Sequence, residues 1–596
     1  MYLTPTPNHW ILDIETDDLK ATKVWCVVAE NLLDGRVVSF SSDSFASLAC
    51  FLDDTSHVFV GHNLLSFDAP TLNRLLGTSI SRNRIVDTLV LSYLYNPKLP
   101  GGHSLEAWGK RLKQPKAEFN DFSRFSPEML EYCKQDVKVT KELYLRLTER
   151  MRQFKFTEKS CEIEHGIRDV INKQQAAGFF FDVPNAQKLR TDLLAKADAL
   201  RDDIHKLFPR QLVEVNEYDY KTKKDGEPYE SFFRHMKAYD RVVMHGDKYK
   251  VYNWRDFNIS SPVQRIERLM SLGWKPEKFT PAGNPQVDEE SLLAFYELKQ
   301  MPEIKAIADY LVLSGRASML GTWLNNVGPD SRIHGTVMTC GASTRRMTHS
   351  SPNTANIPKA KDKVPYGREC RQLWTVDNQV TRRLVGYDAK GLEMRMFAHY
   401  LDNPEAAELY INGDPHQVNA DLLGIDRDPV KNVFYAFLYG AMDPKLGWTA
   451  DTSLVKKADQ RKRGAEVREL LIAKTPGLQR LVDQVKAEGE YIRTIDGGLV
   501  RCEAEHARIN YKLQSAGAIV MKQASIFLDE RIQERGYDAI RVGDIHDEGQ
   551  LDCDARCADE VGKLATQCLI DAGRELNFRV PIEGDYKVGL TWADTH

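Results

Sequence analysis

Acidic residues interrupt or end short apolar segments at three widely separated places in this chain. The segments and their acids are Trp10–Ile14 with Asp13 and Glu15, Leu384–Tyr387 with Asp388, and Arg541–Ile545 with Asp547. Short apolar runs bounded by polar residues are typical of buried strands. Asp388 and Asp547, at two distant strand ends, could share a pair of Mg²⁺ ions. Apolar residues at helical spacing over 127–150 alternate with strands in the N-terminal part and predict an α/β domain there.

The composition is that of a globular protein with several domains. The chain has 596 residues, which at about 150 residues per domain gives three to four domains. No apolar run approaches the roughly 20 residues that cross a bilayer, and the N-terminus lacks the layout of a signal peptide, so we expect no membrane association. The ten cysteines include no Cys-x-x-Cys pair. We therefore expect reduced thiols, a cytoplasmic location and no zinc site.

Acidic groups recur in the N-terminal part of the chain, as far as Asp136. Asp13 and Glu15 share one face of a predicted strand, because side chains alternate with a period of two. Asp68 follows a predicted strand and loop, whereas Tyr132 and Asp136 share one helix face at i and i+4. Two adjacent Mg²⁺ ions need several carboxylates from different elements. The four acids could supply this site, with Tyr132 left to orient a water molecule.

A cationic and aromatic stripe is predicted on one helix. Arg427, Lys431, Tyr435 and Tyr439 recur every four residues, so on an α-helix they drift through only about 120° in total. Pro429 is compatible with the first turn. The stripe could hold a triphosphate at its cationic end and stack a base at its aromatic end. Core packing is the alternative for the tyrosines, but it does not explain the aligned Arg and Lys.

The N-terminal acids occur in an order that resembles a known nuclease pattern. Asp-x-Glu, then Asn-x-x-x-Phe-Asp, then Tyr-x-x-x-Asp is similar to the DnaQ/RNase D-like 3′→5′ exonucleases. The resemblance implies an RNase H-like exonuclease domain and, as ligands of two Mg²⁺ ions, Asp13, Glu15, Asp68 and Asp136. Asp87 is expected to support the fold or the periphery of the site rather than bind metal.

The C-terminal half resembles family A DNA polymerases. Its motifs A, B and C correspond to Asp388 with Glu393, to the helix from Arg427 to Gly440, and to His546-Asp547-Glu548. The type most similar is the replicative polymerase of short-tailed bacteriophages, since the exonuclease acids are intact and no 5′-nuclease domain precedes them. The resemblance implies a multidomain α/β protein with a right-hand polymerase. Its implied parts are the exonuclease domain (1–150), thumb and connecting helices (151–330), palm (331–400 and 496–596) and fingers (401–495).

The resemblance assigns roles to individual residues of the polymerase. It implies that Asp388, Asp547 and the Ala389 carbonyl bind two Mg²⁺ ions, with Mn²⁺ as a substitute ion. Lys431 would contact the triphosphate and donate a proton to leaving pyrophosphate. The outer phosphates would be held by Arg427 and His416.

Further roles concern the sugar, the base and the DNA. Tyr435 would stack against the incoming base, and Glu393, held by Tyr439, would block a ribose 2′-hydroxyl. Donors in the minor groove can test base-pair geometry, because every Watson–Crick pair offers an acceptor there. The DNA-contacting residues implied are Arg346, Gln514 and His546.

A polar, basic segment at 209–257 departs from the family pattern. It is predicted to contain a hairpin about Gly246 and is shorter than the thumb insertion by which some phage relatives bind thioredoxin, so thioredoxin is not expected as a partner. Its lysines and arginine are predicted to contact duplex DNA, with a solvated loop as the alternative; they are Lys221, Lys223, Lys224, Arg241, Lys248 and Lys250. Lys390 is a second departure, and the sequence leaves its effect on metal affinity open.

The implied activity is template-directed DNA synthesis with proofreading. The expected partners are primer-template DNA and dNTPs, with a phage helicase–primase and a single-stranded DNA-binding protein as candidates, in the cytoplasm of a bacterial host. A related RNA polymerase is the main alternative, but Glu393 argues against it because RNA synthesis must admit the 2′-hydroxyl. A non-catalytic DNA-binding scaffold is disfavoured by two complete carboxylate sets. A stand-alone nuclease would leave most of the chain, from position 151 onward, unexplained.

Overall fold

The computed structural model describes residues 1–114, 119–276, 278–280, 283–287 and 289–596. The chain forms two compact units. The first contains residues 1–181, 326–360 and 374–596, and the second contains residues 182–325 and 361–373. Among the helices of the described residues, none is both long and apolar enough to cross a membrane.

Residues 1–181 form a five-stranded sheet with helices packed on it. The strands are β1 (His9–Thr16), β2 (Val24–Asn31), β3 (Val37–Ser41), β4 (Val58–Gly61), β5 (Ile85–Asp87) and the separate β6 (Phe179–Phe180). The helices are α1 (Phe45–Asp53), α2 (Asp68–Leu76), α3 (Thr88–Tyr95), α4 (Leu105–Leu112), α5 (Pro127–Gln153) and α6 (Glu158–Ala177).

The strand order is β3-β2-β1-β4-β5, with β1 antiparallel to β2 and parallel to β4. Alternation along β1 divides its side chains between two cores. Trp10 and Leu12 pack in one core, and Ile11 packs in the other beneath α5. Asp13 and Glu15 follow Ile11 at intervals of two and therefore face α5. The predicted strands and helix of this region are confirmed.

The second unit combines helices with a small sheet. Its helices are α7 (Val183–Leu207), α8 (Glu230–Ala238), α9 (Pro262–Ser271), α10 (Glu289–Lys299), α11 (Pro302–Asn325) and α12 (Gly367–Gln372). Its strands are β7 (Gln211–Asp219), β8 (Arg241–His245), β9 (Lys248–Arg255), β10 (Lys278–Phe279) and β11 (Pro285–Gln286). The predicted hairpin about Gly246 is confirmed by the pairing of β8 with β9, whereas α8 was not predicted.

Ion pairs occupy part of the basic surface predicted at 209–257. The ammonium of Lys248 lies 2.7 Å from a Glu217 carboxylate, and that of Lys250 lies 2.9 Å from Glu214. Lys221 lies 3.6 Å from Asp219. Neutralised lysines attract phosphate less strongly than isolated ones. Duplex binding by this segment stays a prediction, and Lys223 and Lys224 are two of its exposed cations.

The remaining strands belong to the first unit. They are β12 (Arg332–Ile333), β13 (Thr336–Met338), β14 (Thr348–Ser350), β15 (Arg382–Ala389), β16 (Tyr491–Arg493), β17 (Leu499–Arg501), β18 (Ala539–Ile545), β19 (Glu548–Asp554) and β20 (Gly584–Gly589). The remaining helices are α13 (Leu392–Leu401), α14 (Pro404–Asn412), α15 (Pro415–Leu423), α16 (Arg427–Leu438), α17 (Asp443–Ala450), α18 (Lys457–Lys474), α19 (Leu478–Glu488), α20 (Arg508–Glu534) and α21 (Ala558–Glu575). An antiparallel sheet of order β18-β19-β15-β20 joins segments that are distant in the sequence.

Helix α6 belongs with the C-terminal part of the chain. It packs against α20 and β18, so its apolar face is buried against elements near the other end of the sequence. The compact second unit begins at Asp182 and includes residues 361–373. The division of the chain into exonuclease, thumb, palm and fingers stays a prediction.

Four buried charges fix α6 to α20 and to the loop that precedes Arg346. The Arg345 guanidinium lies 2.7 Å from Glu164 of α6 and 2.7 Å from Asp496, and Lys522 of α20 lies 2.6 Å from Glu164. None of the four side chains is more than 1 % exposed. Arg345 also has φ of 63°, in the left-handed region. Its ion pairs hold this backbone conformation, which sets the path of the chain into Arg346.

We expect Arg345→Met to destabilise the protein by about 3–5 kcal/mol, because it leaves Glu164 and Asp496 buried with one cation between them. The measurement is the free energy of unfolding in urea. Lys110→Met, which removes an exposed ion pair to Glu106, is the control and should cost less than about 1 kcal/mol. Equal stabilities of the two variants would contradict the structural role of the network.

Candidate active sites

The first candidate site lies on the β18-β19-β15-β20 sheet. Asp388 is near the end of β15, where it is paired with Glu548 of β19 and with Asp585 of β20. Asp547 occupies the turn between β18 and β19. Its main-chain carbonyl accepts a 3.0 Å hydrogen bond from the amide of Ala389. The sheet thus brings together the two acids that the sequence analysis selected.

The electrostatics of this site favour cation binding. Burial, followed by the charges of Asp547, Glu548 and Asp585, raises the pKa of Asp388 to about 7, although the residue as a whole is exposed. Lys359 opposes this shift. Crowded carboxylates repel each other, and a divalent cation relieves that repulsion through the oxygen ligands it prefers. The residues present therefore fit Mg²⁺.

We expect Mg²⁺ affinity at this site to fall about tenfold for each pH unit below 7, because the ion must displace the proton that Asp388 retains there. Calorimetry in buffers of different ionisation enthalpy measures both the affinity and the released proton. Asp585→Asn removes one neighbouring negative charge, so the midpoint of this dependence should move to lower pH. A pH-independent affinity between 6 and 8 would contradict this account.

The C-terminal residues contribute contacts that sequence reasoning missed. Glu548 is buried and accepts hydrogen bonds from the Trp592 indole, from Gln550 at 2.8 Å and from His596 at 2.9 Å. These bonds fix the Glu548 carboxylate beside Asp547. Trp592 and His596 lie 44 and 48 residues from Glu548 along the chain. No local sequence pattern could therefore indicate these contacts.

Lys390 forms an ion pair at the same sheet. Its ammonium lies 2.8 Å from the Asp585 carboxylate, and both side chains are at least half exposed. This pair places the Lys390 ammonium beside Asp585 of β20, the residue paired with Asp388 of β15. An exposed pair of this kind stabilises the fold little, but it offsets part of the negative charge around Asp388.

The predicted stripe lies on α16, with Tyr439 as the residue that ends the helix. At the cationic end, Arg427 donates to Asp414 at 2.9 Å. Burial and the nearby charges of Lys431 and Arg427 lower the pKa of His416, so this imidazole lies close to both cations. The Tyr435 and Tyr439 rings follow with centroids 5.9 Å apart.

Glu393 is held at the aromatic end of α16. The Tyr439 hydroxyl donates a 2.7 Å hydrogen bond to Glu393, and Arg346 lies 3.5 Å from the other carboxylate oxygen. Partial burial and the charge of Arg346 lower the pKa of His546, so these groups are also close. Gln514 lies on α20, three residues before Gly517. The backbone of Gly517 approaches the side chain of Leu392, the residue before Glu393, so α20 passes close to this site.

The second candidate site lies between β1 and α5. Ligand atoms of Asp13, Glu15 and Cys133 are all within 4.8 Å of one another. Asp68 is buried at the start of α2 and accepts a backbone hydrogen bond from Ile14; burial and then Asp87 raise its pKa to about 7. Asp136 is buried on α5, one turn after Cys133. The carboxylates provide the oxygen donors that Mg²⁺ requires.

Two neighbouring residues of α5, Tyr132 and Cys133, also lie near the second site. Tyr132 packs against Phe119 and Phe122, with ring centroids 5.6 and 6.3 Å away. Cys133, which sequence reasoning missed, donates its thiol hydrogen to the Asp13 carbonyl at 3.4 Å. Its position three residues before Asp136 was the available signal.

Asp87 has the structural role that the sequence analysis expected. Its carboxylate accepts hydrogen bonds from the amides of Asn63, Leu65 and Leu89 at 2.9, 3.0 and 2.9 Å. It therefore begins α3 and fixes the loop that precedes Asp68.

Comparison with known proteins identifies the family. A family profile described as DNA polymerase family A matches residues 237–594. The DNA-directed DNA polymerase of Escherichia phage T7 is 30% identical and that of Enterobacteria phage T3 is 29% identical; each alignment covers 98% of this chain and all of the relative. A solved structure of the POL domain of Pol1 from M. smegmatis, in complex with DNA primer-template and dNTP, has the same fold, with a TM-score of 0.73 at 18% identity over 98% of this chain and 96% of that one. This chain belongs to DNA polymerase family A and is a DNA-directed DNA polymerase.

Proposed function

We propose that the polymerase adds dNTPs to a primer 3′ end by two-metal phosphoryl transfer and that it proofreads with a 3′→5′ exonuclease. The observation that supports synthesis most strongly is that Asp388, near the end of β15, lies beside the turn between β18 and β19 that carries Asp547. Two Mg²⁺ ions, or Mn²⁺ as substitutes, would be held by these carboxylates and the Ala389 carbonyl. Bound there, they would lower the pKa of the attacking hydroxyl and offset charge on the leaving group.

Residues of α15 and α16 bind and orient the triphosphate. Arg427 and His416 hold its outer phosphates, and Lys431 donates a proton to the leaving pyrophosphate. The proximity of His416 to the cations Lys431 and Arg427 supports the assignment. Tyr435 stacks against the incoming base at the other end of the helix.

Sugar and base-pair selection take place around Glu393. Held by Tyr439, this side chain occupies the space that a ribose 2′-hydroxyl would need. Its contacts with Tyr439 and Arg346 support the assignment. The residues proposed to contact primer-template DNA are Arg346, Gln514 and His546.

The exonuclease site is proposed between β1 and α5. Two Mg²⁺ ions would be held by Asp13, Glu15, Asp68 and Asp136, and Tyr132 would orient the attacking water. The proximity of Asp13 and Glu15 and the burial of the other two acids support this site. By this proposal residues 1–150 are the exonuclease domain, and palm, fingers and thumb follow.

The similarity to T3 and T7 polymerases supports a role in phage genome replication. The primer-template and dNTP of the M. smegmatis complex support the same ligand classes here. A helicase–primase and a single-stranded DNA-binding protein are the proposed further partners, in the cytoplasm of a bacterial host. Thioredoxin is not proposed.

A primer-extension assay with Mg²⁺ tests both activities. With dNTPs the labelled primer should lengthen, and without dNTPs it should shorten from its 3′ end. With rNTPs alone it should not lengthen. Extension with rNTPs would instead favour the RNA polymerase alternative, and an unchanged primer in all conditions would favour the DNA-binding scaffold.

A further inference from the structure

A cavity of about 520 Å³ lies in the first unit between the end of α5 and the β16–β17 hairpin. Aromatic rings from distant parts of the chain line it: Tyr95, Phe154, Tyr491 and Tyr511. We propose that this aromatic cavity binds the unpaired template strand, whose bases stack on the rings. The inference rests on the proposed function for the direction in which the template leaves the active site.

The rings of the aromatic cavity form a connected series. Tyr95 lies 6.3 Å from Phe154, and Phe154 lies 5.1 Å from Tyr491, measured between centroids. The Arg501 guanidinium lies over Tyr491, 5.9 Å from its ring centroid. Tyr491 is 43% exposed, which leaves part of its ring to contact a ligand. Aromatic platforms beside an arginine are the common means by which proteins bind single strands without sequence preference.

The charges in the aromatic cavity are nearly balanced. Arg501 lies 3.3 Å from Glu490 and 3.1 Å from Glu503. Arg345 also lines the cavity, but its guanidinium already forms ion pairs with Glu164 and Asp496. Lys98, a further lining residue, is an exposed cation. A nearly neutral aromatic cavity fits base faces better than phosphate alone, so stacking supplies most of the binding energy.

The aromatic cavity adjoins the end of α16 where the incoming base would stack. Gly440 follows Tyr439, and a Cβ atom on it would lie 2.2 Å from the His506 carbonyl oxygen. Residue Ala507 and, one turn later, Tyr511 line the cavity. The template base pairs with the incoming base at this end, so the next template nucleotide leaves the pair beside the cavity.

The aromatic cavity lies too far from the proposed exonuclease acids to hold a primer 3′ end for hydrolysis. Phe154 ends α5, several helical turns beyond Asp136. At a rise of 1.5 Å per residue the two are about 27 Å apart along the helix. The cavity therefore serves the strand at the polymerase site rather than a 3′ end in the exonuclease site.

Overhang-dependent binding tests the proposal. Equilibrium affinity is measured by fluorescence anisotropy for one primer duplex with template overhangs of one or six nucleotides. Tyr491→Ala should weaken binding to the six-nucleotide overhang about tenfold, as expected for loss of one base–aromatic stack. Binding to the one-nucleotide overhang should not change. Tyr491→Phe retains the ring and should match wild type.

Two further comparisons separate this proposal from a folding defect. Tyr95→Ala, on a different element of the aromatic cavity, should repeat the overhang-dependent loss, and Tyr537→Ala, outside the cavity, should not. If the variants retain single-nucleotide insertion on the one-nucleotide overhang, their polymerase site is intact. If the wild-type protein itself lacks this insertion, the proposed function is refuted instead. Equal losses on both overhangs, or none on either, in both cavity variants would overturn the proposal.

A fluorescent template base locates the strand. With 2-aminopurine at the second or third unpaired position, wild type should quench the fluorescence by stacking, and Tyr491→Ala should restore part of it. Unquenched 2-aminopurine at every unpaired position in the wild-type complex would also overturn the proposal.

Discussion

Asp547→Ala is expected to abolish primer extension while 3′-end degradation continues, and Asp13→Ala combined with Glu15→Ala is expected to have the reverse effect. Asp547 lies in the turn between β18 and β19, whereas Asp13 and Glu15 lie on β1 of a separate sheet. Loss of a metal-binding carboxylate removes several kcal/mol of transition-state stabilisation, about 10³-fold in rate. Extension and degradation of one labelled primer measure both rates.

Asp554→Asn provides the matched control for the first site. This acid ends β19, six residues after Glu548, and its carboxylate accepts a hydrogen bond from the Arg556 amide. Its substitution should leave both rates within about twofold of wild type, because its carboxylate bonds the nearby Arg556 rather than a residue of either proposed metal site. If either active-site variant lost both activities while remaining folded, one shared site would replace the two proposed.

Local patterns predicted the elements that carry the sites. The period of two around Asp13 and the period near four from Arg427 to Tyr435 each arise within one strand or helix, and the structure has both elements. Each pattern can be recognised because a buried or binding face recurs at the spacing of the backbone. The positions of Asp388 and Asp547 at strand ends suggested that they could share metal ions, and the resemblance to known motifs then assigned them that role.

Contacts between remote residues could not be predicted in the same way. Arg345 lies 181 positions from Glu164 and 151 from Asp496. Its burial follows from the packing of α6 on α20, and no sequence period connects these segments. The aromatic cavity is similar, because Tyr95, Phe154 and Tyr491 are each unremarkable within their own elements. Such sites become visible only when the tertiary structure brings the side chains together.

Glu393→Ala should raise ribonucleotide incorporation at least about 100-fold relative to deoxynucleotide incorporation. The carboxylate lies at the aromatic end of α16, fixed by Tyr439 at 2.7 Å and by Arg346 at 3.5 Å. Truncation to Ala removes the group proposed to occupy the space of the 2′-hydroxyl. The measurement is kcat/KM for each rNTP and its dNTP on the same primer-template.

Tyr439→Phe is expected to weaken discrimination against rNTPs in the same direction as Glu393→Ala, but by less. It keeps the aromatic ring but removes the hydroxyl that fixes Glu393, and a hydrogen bond to a charged group is worth about 1.5–3 kcal/mol. Discrimination against rNTPs should therefore fall by about tenfold, less than in Glu393→Ala, because the carboxylate is still present but less well fixed. Glu405→Ala, an exposed acid on α14, should leave discrimination unchanged. If Glu393→Ala kept the wild-type ratio of kcat/KM, the selection of sugars would have to arise at another residue, and Tyr435 of α16 would be the next to test.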